Sequence, residues 1–352
     1  MEKDASASGA GAGRSRESGT LQTLRRPLSF PHDRDFRILS LDGGGIKGIF
    51  TAAFLARVEL EFLNGESIGK CFDLVAGTST GGLIALCLAA GKTAQDVLKL
   101  YLENGAAIFD PVSWRVLKAG FASAPLHNAV SDVLGDRVLG ESSLRLCIPA
   151  VNARKAEPCM FKTPHHPDYE WDAAERMIDV ALATTAAPTF FQPHSTDNYV
   201  LLDGGLIANN PVMVALVDAL SCFDIARRQV RILSIGTGAP QPIVTEEQMT
   251  GGRKAWSTIH DSFIYYADKN ATGQAGLLIG RDRLIRVTPE GDDAMIDMTD
   301  AASAIERLPV AAEAAVGAYA EKIAAMLRTS AEPADFYHGP RAVGRNWADV
   351  PS

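Results

Sequence analysis

Two rhythms of apolar and polar residues organise most of the chain. Short apolar runs that stop at glycine read as buried strands. Longer stretches with apolar residues at helical spacing read as helices. Phe36-Arg37-Ile38-Leu39-Ser40-Leu41 is such a run, closed by Gly43-Gly44-Gly45. A helix is predicted over roughly 46–63, where Ile49, Phe50, Ala53, Phe54 and Val58 fall near helical spacing. The strand Phe72–Ala76 runs into Gly77-Thr78-Ser79-Thr80-Gly81-Gly82 and then an apolar helix to about Ala90, with Gly91 as its C-terminal glycine. Thr93 and Asp96 mark the start of another helix, because a short side-chain oxygen satisfies free amides there. Residues 104–124 are less regular. Leu144–Val151 and Pro158–Lys162 read as strands, and Asp172 is expected to cap a helix to about Thr185. Tyr199–Leu202 is a short strand into Asp203-Gly204-Gly205. Pro211 suits the first turn of a helix to about Leu220. Val230–Ile235 is a strand closed by Gly236-Thr237-Gly238, and 253–328 alternates helical stretches with one strand near Leu284–Val287.

Strand and helix thus alternate from residue 36 to about 236. The fold class expected is α/β: a three-layer α/β/α arrangement with a mostly parallel central sheet. No repeat of fixed period appears. Residues 35–330 are read as one domain. Residues 1–34, rich in Ser, Gly, Ala and Arg, read as a flexible N-terminal arm, and 331–352 as a C-terminal tail.

Composition then narrows function. The 352 residues are 47% hydrophobic and 22% charged, as in ordinary globular proteins. Forty-two acids against 34 bases give a net charge of -8. This excludes a broad basic surface for long nucleic acid, but not a small anionic ligand in one pocket. The longest clean apolar run, Leu83 to Ala90, has 8 residues, and a membrane span needs about 20. No secretory signal is evident at the N-terminus. Cys71, Cys87, Cys147, Cys159 and Cys222 stand singly, so reduced core thiols in a cytoplasmic protein are expected, with no support for a zinc site.

Three glycine-framed turns carry the candidate chemistry. The first, Asp42-Gly43-Gly44-Gly45-Ile46-Lys47-Gly48, contains the GxGxxG spacing of a dinucleotide loop at Gly43, Gly45 and Gly48. That fingerprint also needs an acid at the end of the next strand, and here the next strand ends in Gly77-Thr78-Ser79. Asp42 would also set a carboxylate beside the pyrophosphate. An anion cradle for a transient species is the better use: backbone N–H groups converge on one spot at a helix N-terminus, as in an oxyanion hole. The second turn, Gly77-Thr78-Ser79-Thr80-Gly81, is a GxSxG between strand and helix, where a serine nucleophile sits on a sharp turn flanked by small residues.

A serine hydroxyl needs a positioned base. Of the seven histidines, His32, His127, His165, His166, His194, His260 and His338, His32 falls in the arm and His338 in the tail; His260 follows Asp203 in the order of a Ser–Asp–His triad, but it falls on a helical stretch. The third turn, Asp203-Gly204-Gly205, offers a carboxylate instead. In a parallel sheet, Asp203 would lie at the same carboxyl edge as Ser79.

Taken in order, these three turns resemble those of the patatin-like phospholipases. The stretch Thr184-Thr185-Ala186-Ala187-Pro188-Thr189-Phe190-Phe191 is similar to that family as well, and Lys47 stands where members carry Lys or Arg. The resemblance covers about 36–240. It implies a Ser–Asp dyad without histidine, with Ser79 as nucleophile, Asp203 as base, and the amides of Gly43, Gly44 and Gly45 as oxyanion hole. Gly77, Gly81 and Gly204 would be the motif glycines. The implied reaction is hydrolysis of a fatty-acyl ester of a phospholipid through an acyl-serine, with no metal or other cofactor.

The segments Ser40–Leu55 and His165–Tyr169 further resemble bacterial effectors of anti-phage signalling, in which a cyclic dinucleotide such as cyclic GMP-AMP switches on the phospholipase. No residue carries the nucleotide site across. The implied partners are a phospholipid membrane surface, at the inner face of the cell membrane, and the cyclic dinucleotide. A homo-oligomer is left open. Ile108, Phe109, Val112, Trp114, Val116, Leu117 and Phe121, with Arg115 and Lys118 among them, suit an interfacial lid or a loop that covers the core. A Ser–His–Asp esterase, an oxidoreductase built on Gly43–Gly48, and a storage or scaffold protein are the competing expectations.

Overall fold

A computed structural model describes residues 25–109, 123–196, 199–251 and 259–344. The expected arm over residues 1–24, most of the lid stretch (110–122) and the end of the tail (345–352) lie outside the described residues.

The strands are β1 (Phe36–Leu41), β2 (Leu74–Gly77), β3 (Leu146–Asn152), β4 (Glu157–Lys162), β5 (His194–Ser195), β6 (Val200–Asp203), β7 (Val230–Ile235) and β8 (Leu284–Val287). The first helices are α1 (Gly48–Phe62), α2 (Thr80–Ala89), α3 (Ala94–Ile108), α4 (Ser123–Leu134) and α5 (Met177–Thr184). They are followed by α6 (Gly205–Ala208), α7 (Val212–Cys222), α8 (Glu246–Thr250), α9 (Ile259–Ile279), α10 (Gly291–Ala294) and α11 (Ala301–Met326).

Alternation within β1 builds the layers. Leu39 and Leu41 pack into a core with α1, α2, α3, α5 and α11. Phe36 and Ile38 point the other way, into a second core with α7 and the end of α9. Both faces are buried, so the strand reads as continuously apolar. The α/β/α class holds. The sheet order is β5-β6-β3-β2-β1-β7-β8, with β4 also on β3. Pairs β1–β2, β1–β7, β2–β3 and β7–β8 are parallel, and β3–β4, β3–β6 and β5–β6 are antiparallel.

The antiparallel corner departs from the expected route to Asp203. Backbone groups of a strand point alternately to its two edges. Leu146 O accepts from Thr163 N on the β4 side of β3, whereas Arg145 O accepts from Val75 N and Ala153 N donates to Val200 O on the opposite edge. β2 and β6 therefore share one edge of β3 and run toward each other. β2 pairs up to Ala76↔Cys147, and β6 comes down to Asp203↔Ala150. Ser79 and Asp203 meet because two strand ends converge, not because their strands are parallel.

Local departures have simple causes. Thr93 and Asp96 form the expected capping box on α3, and Gly91 takes a φ of 86° after α2. Asp172 does not cap α5. Its carboxylate accepts the Lys162 N–H at 2.8 Å, and a 3-10 turn (Trp171–Ala174) precedes the helix. Order begins before Phe36: Leu28 exchanges backbone hydrogen bonds with Cys222 and Asp224 at 2.7 and 2.8 Å. Phe30, Phe36 and Phe223 form a ring cluster with centroids 5.0 and 5.1 Å apart along the chain of contacts. On the other side, Phe336 is fully buried, and Tyr337 N donates to Pro164 O at 2.8 Å. All five cysteines are buried, and none forms a disulfide. No helix among the described residues is long and apolar enough to cross a membrane.

The aromatic cluster yields a test. Phe223→Ala should cost about 3–5 kcal/mol, as for other buried aromatic truncations. It should also free the segment around Leu28 for proteolysis before the rest of the chain unfolds. Unchanged stability and unchanged cleavage would mean that the N-terminal strap is not held by this cluster.

Candidate active site

Ser79 sits between β2 and α2 with φ 54° and ψ −122°, a conformation that non-glycine residues rarely adopt. The turn is tight because neighbouring backbone crowds it. A Cβ on Gly77 would lie 2.2 Å from Gly81 O, and one on Gly81 would lie 2.2 Å from Leu41 O. Glycine is required at both positions, as the GxSxG spacing implies. Thr78 pins the turn from behind by donating its hydroxyl to Ala208 O at 2.6 Å.

The Ser79 hydroxyl lies within reach of the Asp203 carboxylate and helps hold its pKa down. Asp203 is 5% exposed, and its Oδ1 accepts the Gly205 N–H at 2.6 Å. Burial raises its pKa to about 6, and the Gly205 N–H and the Ser79 hydroxyl hold it from rising further. A carboxylate so placed is a matched acceptor for a hydroxyl proton near neutral pH.

The glycine loop lies across from this pair and corrects one expectation. Gly43 N–H donates to Asn209 O at 3.0 Å, so it is already engaged and does not face a substrate oxygen. Gly43 O in turn accepts from Thr237 Oγ at 2.7 Å. Gly44 and Gly45 stand at the start of a 3-10 turn (Gly45–Lys47), where the first N–H groups have no partner within the helix. Gly45 lines the same pocket as Ser79. With the Gly43 amide engaged, those of Gly44 and Gly45 are the candidate donors that the loop retains. Both must be glycine: a Cβ on Gly44 would meet Thr237 Oγ1 at 2.1 Å, and Gly45 has φ 59°.

Behind the loop sits a residue that the strand pattern concealed. Arg286 on β8 forks onto both oxygens of Asp42 and also bonds Asp268 Oδ1 at 2.7 Å and Ser234 Oγ at 2.8 Å. Burial alone would lower its pKa, but the two carboxylates more than reverse that and keep the guanidinium charged. Asp268 also accepts from Asn210 Nδ2 at 2.6 Å. The ends of β1, β7 and β8, the Asn209–Asn210 loop and α9 are joined by this one cation. Asp42 is committed to Arg286 rather than to a ligand. Lys47 Nζ donates to Gly238 O at 2.6 Å, steadying the same loop. The available signal was a single arginine in an otherwise apolar strand.

An apolar pocket opens beside Ser79. Leu83, Tyr101, Ile108, Phe109, Leu126 and Phe191 are among its walls. Ile108 and Phe109 of the expected lid stretch therefore line it, and the remainder of that stretch falls outside the described residues. No histidine among the described residues lines this pocket. His260 is in the first turn of α9, with its side chain outside the described residues. His165 and His166 are buried elsewhere. His165 bonds Asp218 at 2.9 Å and Thr163 at 2.8 Å, and His166 bonds Arg26 O at 3.0 Å. His165, Asp218 and Cys222 come close enough to suggest metal ligands. Lys162 Nζ already bonds Asp218 at 2.6 Å, so the site's positive charge is supplied by the protein.

The comparisons fit this geometry. The family model of the patatin-like phospholipases matches residues 39–216, which include the glycine loop, the Ser79 turn and Asp203. The chain belongs to the patatin-like phospholipase family. A protein of Escherichia coli (strain TW11681) described as a cGAMP-activated phospholipase is 39% identical over 220 residues, covering 57% of this chain and 62% of that protein. One of the same description from Vibrio cholerae serotype O1 is 36% identical over 255 residues, covering 65% of this chain and 72% of that protein. Among solved structures, VipD from Legionella pneumophila aligns with a TM-score of 0.45 and 12% identity, over 87% of this chain and 71% of that one.

The burial of Asp203 makes a stability prediction. Its folded pKa of about 6 lies above the unfolded value of 3.8, so the native state holds this proton more tightly. Ionising it therefore destabilises the fold as pH rises from the lower value through the upper one. Asp203→Asn should be more stable than the native protein by about 3 kcal/mol near pH 8, and the gain should largely vanish near pH 4. Denaturant titrations at the two pH values check this. Equal stability at both would contradict a desolvated carboxylate.

Proposed function

We propose that this chain is a lipid acyl hydrolase that cleaves fatty-acyl esters of membrane phospholipids with Ser79 as nucleophile and Asp203 as base. The observation that carries the reading is Ser79, held at φ 54° on its sharp turn at the edge of an apolar pocket, with the buried Asp203 carboxylate within reach of its hydroxyl. Asp203 takes the hydroxyl proton as Oγ attacks the ester carbonyl carbon. The Gly44 and Gly45 amides receive the negative oxygen; one such donor is typically worth ~2.7–4 kcal/mol in the transition state. Collapse breaks the bond to the glycerol oxygen, which leaves with the proton from Asp203. Water then attacks the acyl-serine, gives its proton to the same carboxylate, and the fatty acid departs as Ser79 regains its hydrogen. The pocket wall of Leu83, Ile108, Leu126 and Phe191 is chemically suited to an acyl chain.

Activation by a cyclic dinucleotide, and with it a role in anti-phage defence at the inner face of the cell membrane, belongs to the same proposal. Its support is the likeness to relatives described as cGAMP-activated phospholipases at 36–39% identity.

Fatty-acid release from phospholipid vesicles, with and without a panel of cyclic dinucleotides, tests both levels. Ser79→Ala and Asp203→Ala should each lower release by at least ~10³-fold, and His260→Ala should not. Activity retained in Asp203→Ala and lost in His260→Ala would move the enzyme to the triad class. Full activity without nucleotide would remove the regulation and leave the chemistry. The acid limb of the rate profile should fall near pH 6, because Asp203 acts only when deprotonated and loses that form as pH drops through about 6. A flat profile between about pH 5 and 8 would contradict a carboxylate base.

A further inference from the structure

The segment Thr184-Thr185-Ala186-Ala187 stands out in the sequence, yet no step of the reaction uses it. It lies where β2 and β6 converge. Thr184 is the last residue of α5 and is fully buried. Its hydroxyl donates to Pro149 O at 2.7 Å and accepts the Ser79 N–H at 3.0 Å. Two residues later, Ala186 O accepts the Asp203 N–H at 3.0 Å.

The sheet accounts for a hydroxyl there. Odd-numbered residues of β3 direct their backbone groups to the edge shared by β2 and β6. β2 pairs no further than Cys147, and β6 comes no lower than Ala150. Pro149 falls between the last pair of each strand, where the Gly204 turn closes against its carbonyl. Proline suits the position because it has no N–H to leave orphaned. The Ser79 amide, on a sharp turn past the end of β2, has no strand partner. A hydroxyl is both donor and acceptor, so one side chain satisfies both groups. The γ-methyl has its own place: a Cβ on Gly82 would lie 2.8 Å from Thr184 Cγ2, so the methyl fills the space over the first turn of α2.

We propose that Thr184 is a positioning residue for the dyad: its hydroxyl ties the Ser79 turn to the β3 edge that also sets Asp203, and so fixes the approach of hydroxyl to carboxylate. The inference rests on the reading of Ser79 and Asp203 as nucleophile and base. A non-glycine residue held at φ 54° persists only where its surroundings over-determine it. Thr78 restrains one side of this turn through Ala208, and Thr184 restrains the other. Without the Thr184 hydroxyl, the Ser79 amide loses its hydrogen-bond partner and its tie to Pro149, and the turn relaxes away from Asp203.

Two substitutions separate hydrogen bonding from packing. Thr184→Val keeps the shape and removes the hydroxyl. Thr184→Ser keeps the hydroxyl and removes the methyl. With a soluble p-nitrophenyl ester, Thr184→Val should lower kcat by about 10- to 100-fold, the usual cost of a small misplacement of reacting groups. KM should stay within about twofold, because uniform binding is untouched. The acid limb of the Thr184→Val profile should move to higher pH, since the Ser79 hydroxyl that restrains the Asp203 pKa is drawn away. Thr184→Ser should keep a near-native kcat and the native limb. A merely structural Thr184 would lower the folded fraction and leave the limb in place. Native kcat and limb in Thr184→Val, or equal impairment of both variants, would overturn the inference. Should Thr184→Val not fold, Thr184→Cys, of similar bulk and poor hydrogen-bonding power, takes its place with the same two outcomes. A Ser79→Ala control keeps the two readings apart. If it abolishes turnover while Thr184→Val matches the native protein, only the positioning role fails. If it leaves turnover intact, the nucleophile assignment fails first.

Discussion

A carboxylate removed from water and within reach of one hydroxyl is the constraint on which the site depends. In water, an aspartate is too weak a base to draw a proton from an alcohol. Burial makes the Asp203 charge costly, raises its proton affinity, and leaves the Ser79 hydroxyl as one of its two compensating donors. The same burial that weakens the fold at neutral pH therefore prepares the chemistry. The site is a place where stability is given up locally and recovered in the two apolar cores on either side of the sheet.

The sheet makes that pairing geometrically available. A purely parallel arrangement would set Ser79 and Asp203 on neighbouring strand ends, side by side. Here β2 and β6 approach each other along one edge of β3, so the two turns face one another across a gap about two residues wide by register. Small groups close the gap. A Cβ on Gly204 would lie 2.3 Å from Pro149 O, so only glycine fits directly after Asp203. The loops beyond the strands are then locked in a ring, with Thr78 on Ala208, Gly43 on Asn209 and Arg286 on Asp42 and Asp268. That ring holds the glycine loop beside the pocket, which Gly45 lines, while Gly43 serves as an anchor.

Much of this was legible along the chain, and the exceptions share a cause. The Ser79 turn and the Asp203 turn were readable because glycine directly past a strand end is what a sharp, crowded turn demands. The strands themselves were readable because β1, β3 and β7 are buried on both faces and so almost uniformly apolar. The antiparallel run of β6 was not readable, since four residues carry no mark of their direction. Arg286 was hidden inside a strand pattern, and its partners lie 244 and 18 residues away in sequence. The commitment of Gly43 to Asn209 depends on a long-range backbone contact, which side-chain identity does not report. The segments around Leu28 and Phe336 looked featureless because each contributes one or two anchoring apolar residues rather than a periodic run.

The central claim is that the serine hydrogen passes straight to a carboxylate with no imidazole between them. A crystal structure of the protein phosphonylated by a fluorophosphonate tests it most directly. The account predicts phosphorus on Ser79 Oγ and a phosphonyl oxygen about 2.7–3.1 Å from the Gly44 and Gly45 nitrogens. It also predicts the Asp203 carboxylate against Oγ, with no histidine ring in reach. A histidine, including His260, lodged between Ser79 and Asp203, or a phosphonyl oxygen turned away from the glycine loop, would contradict it.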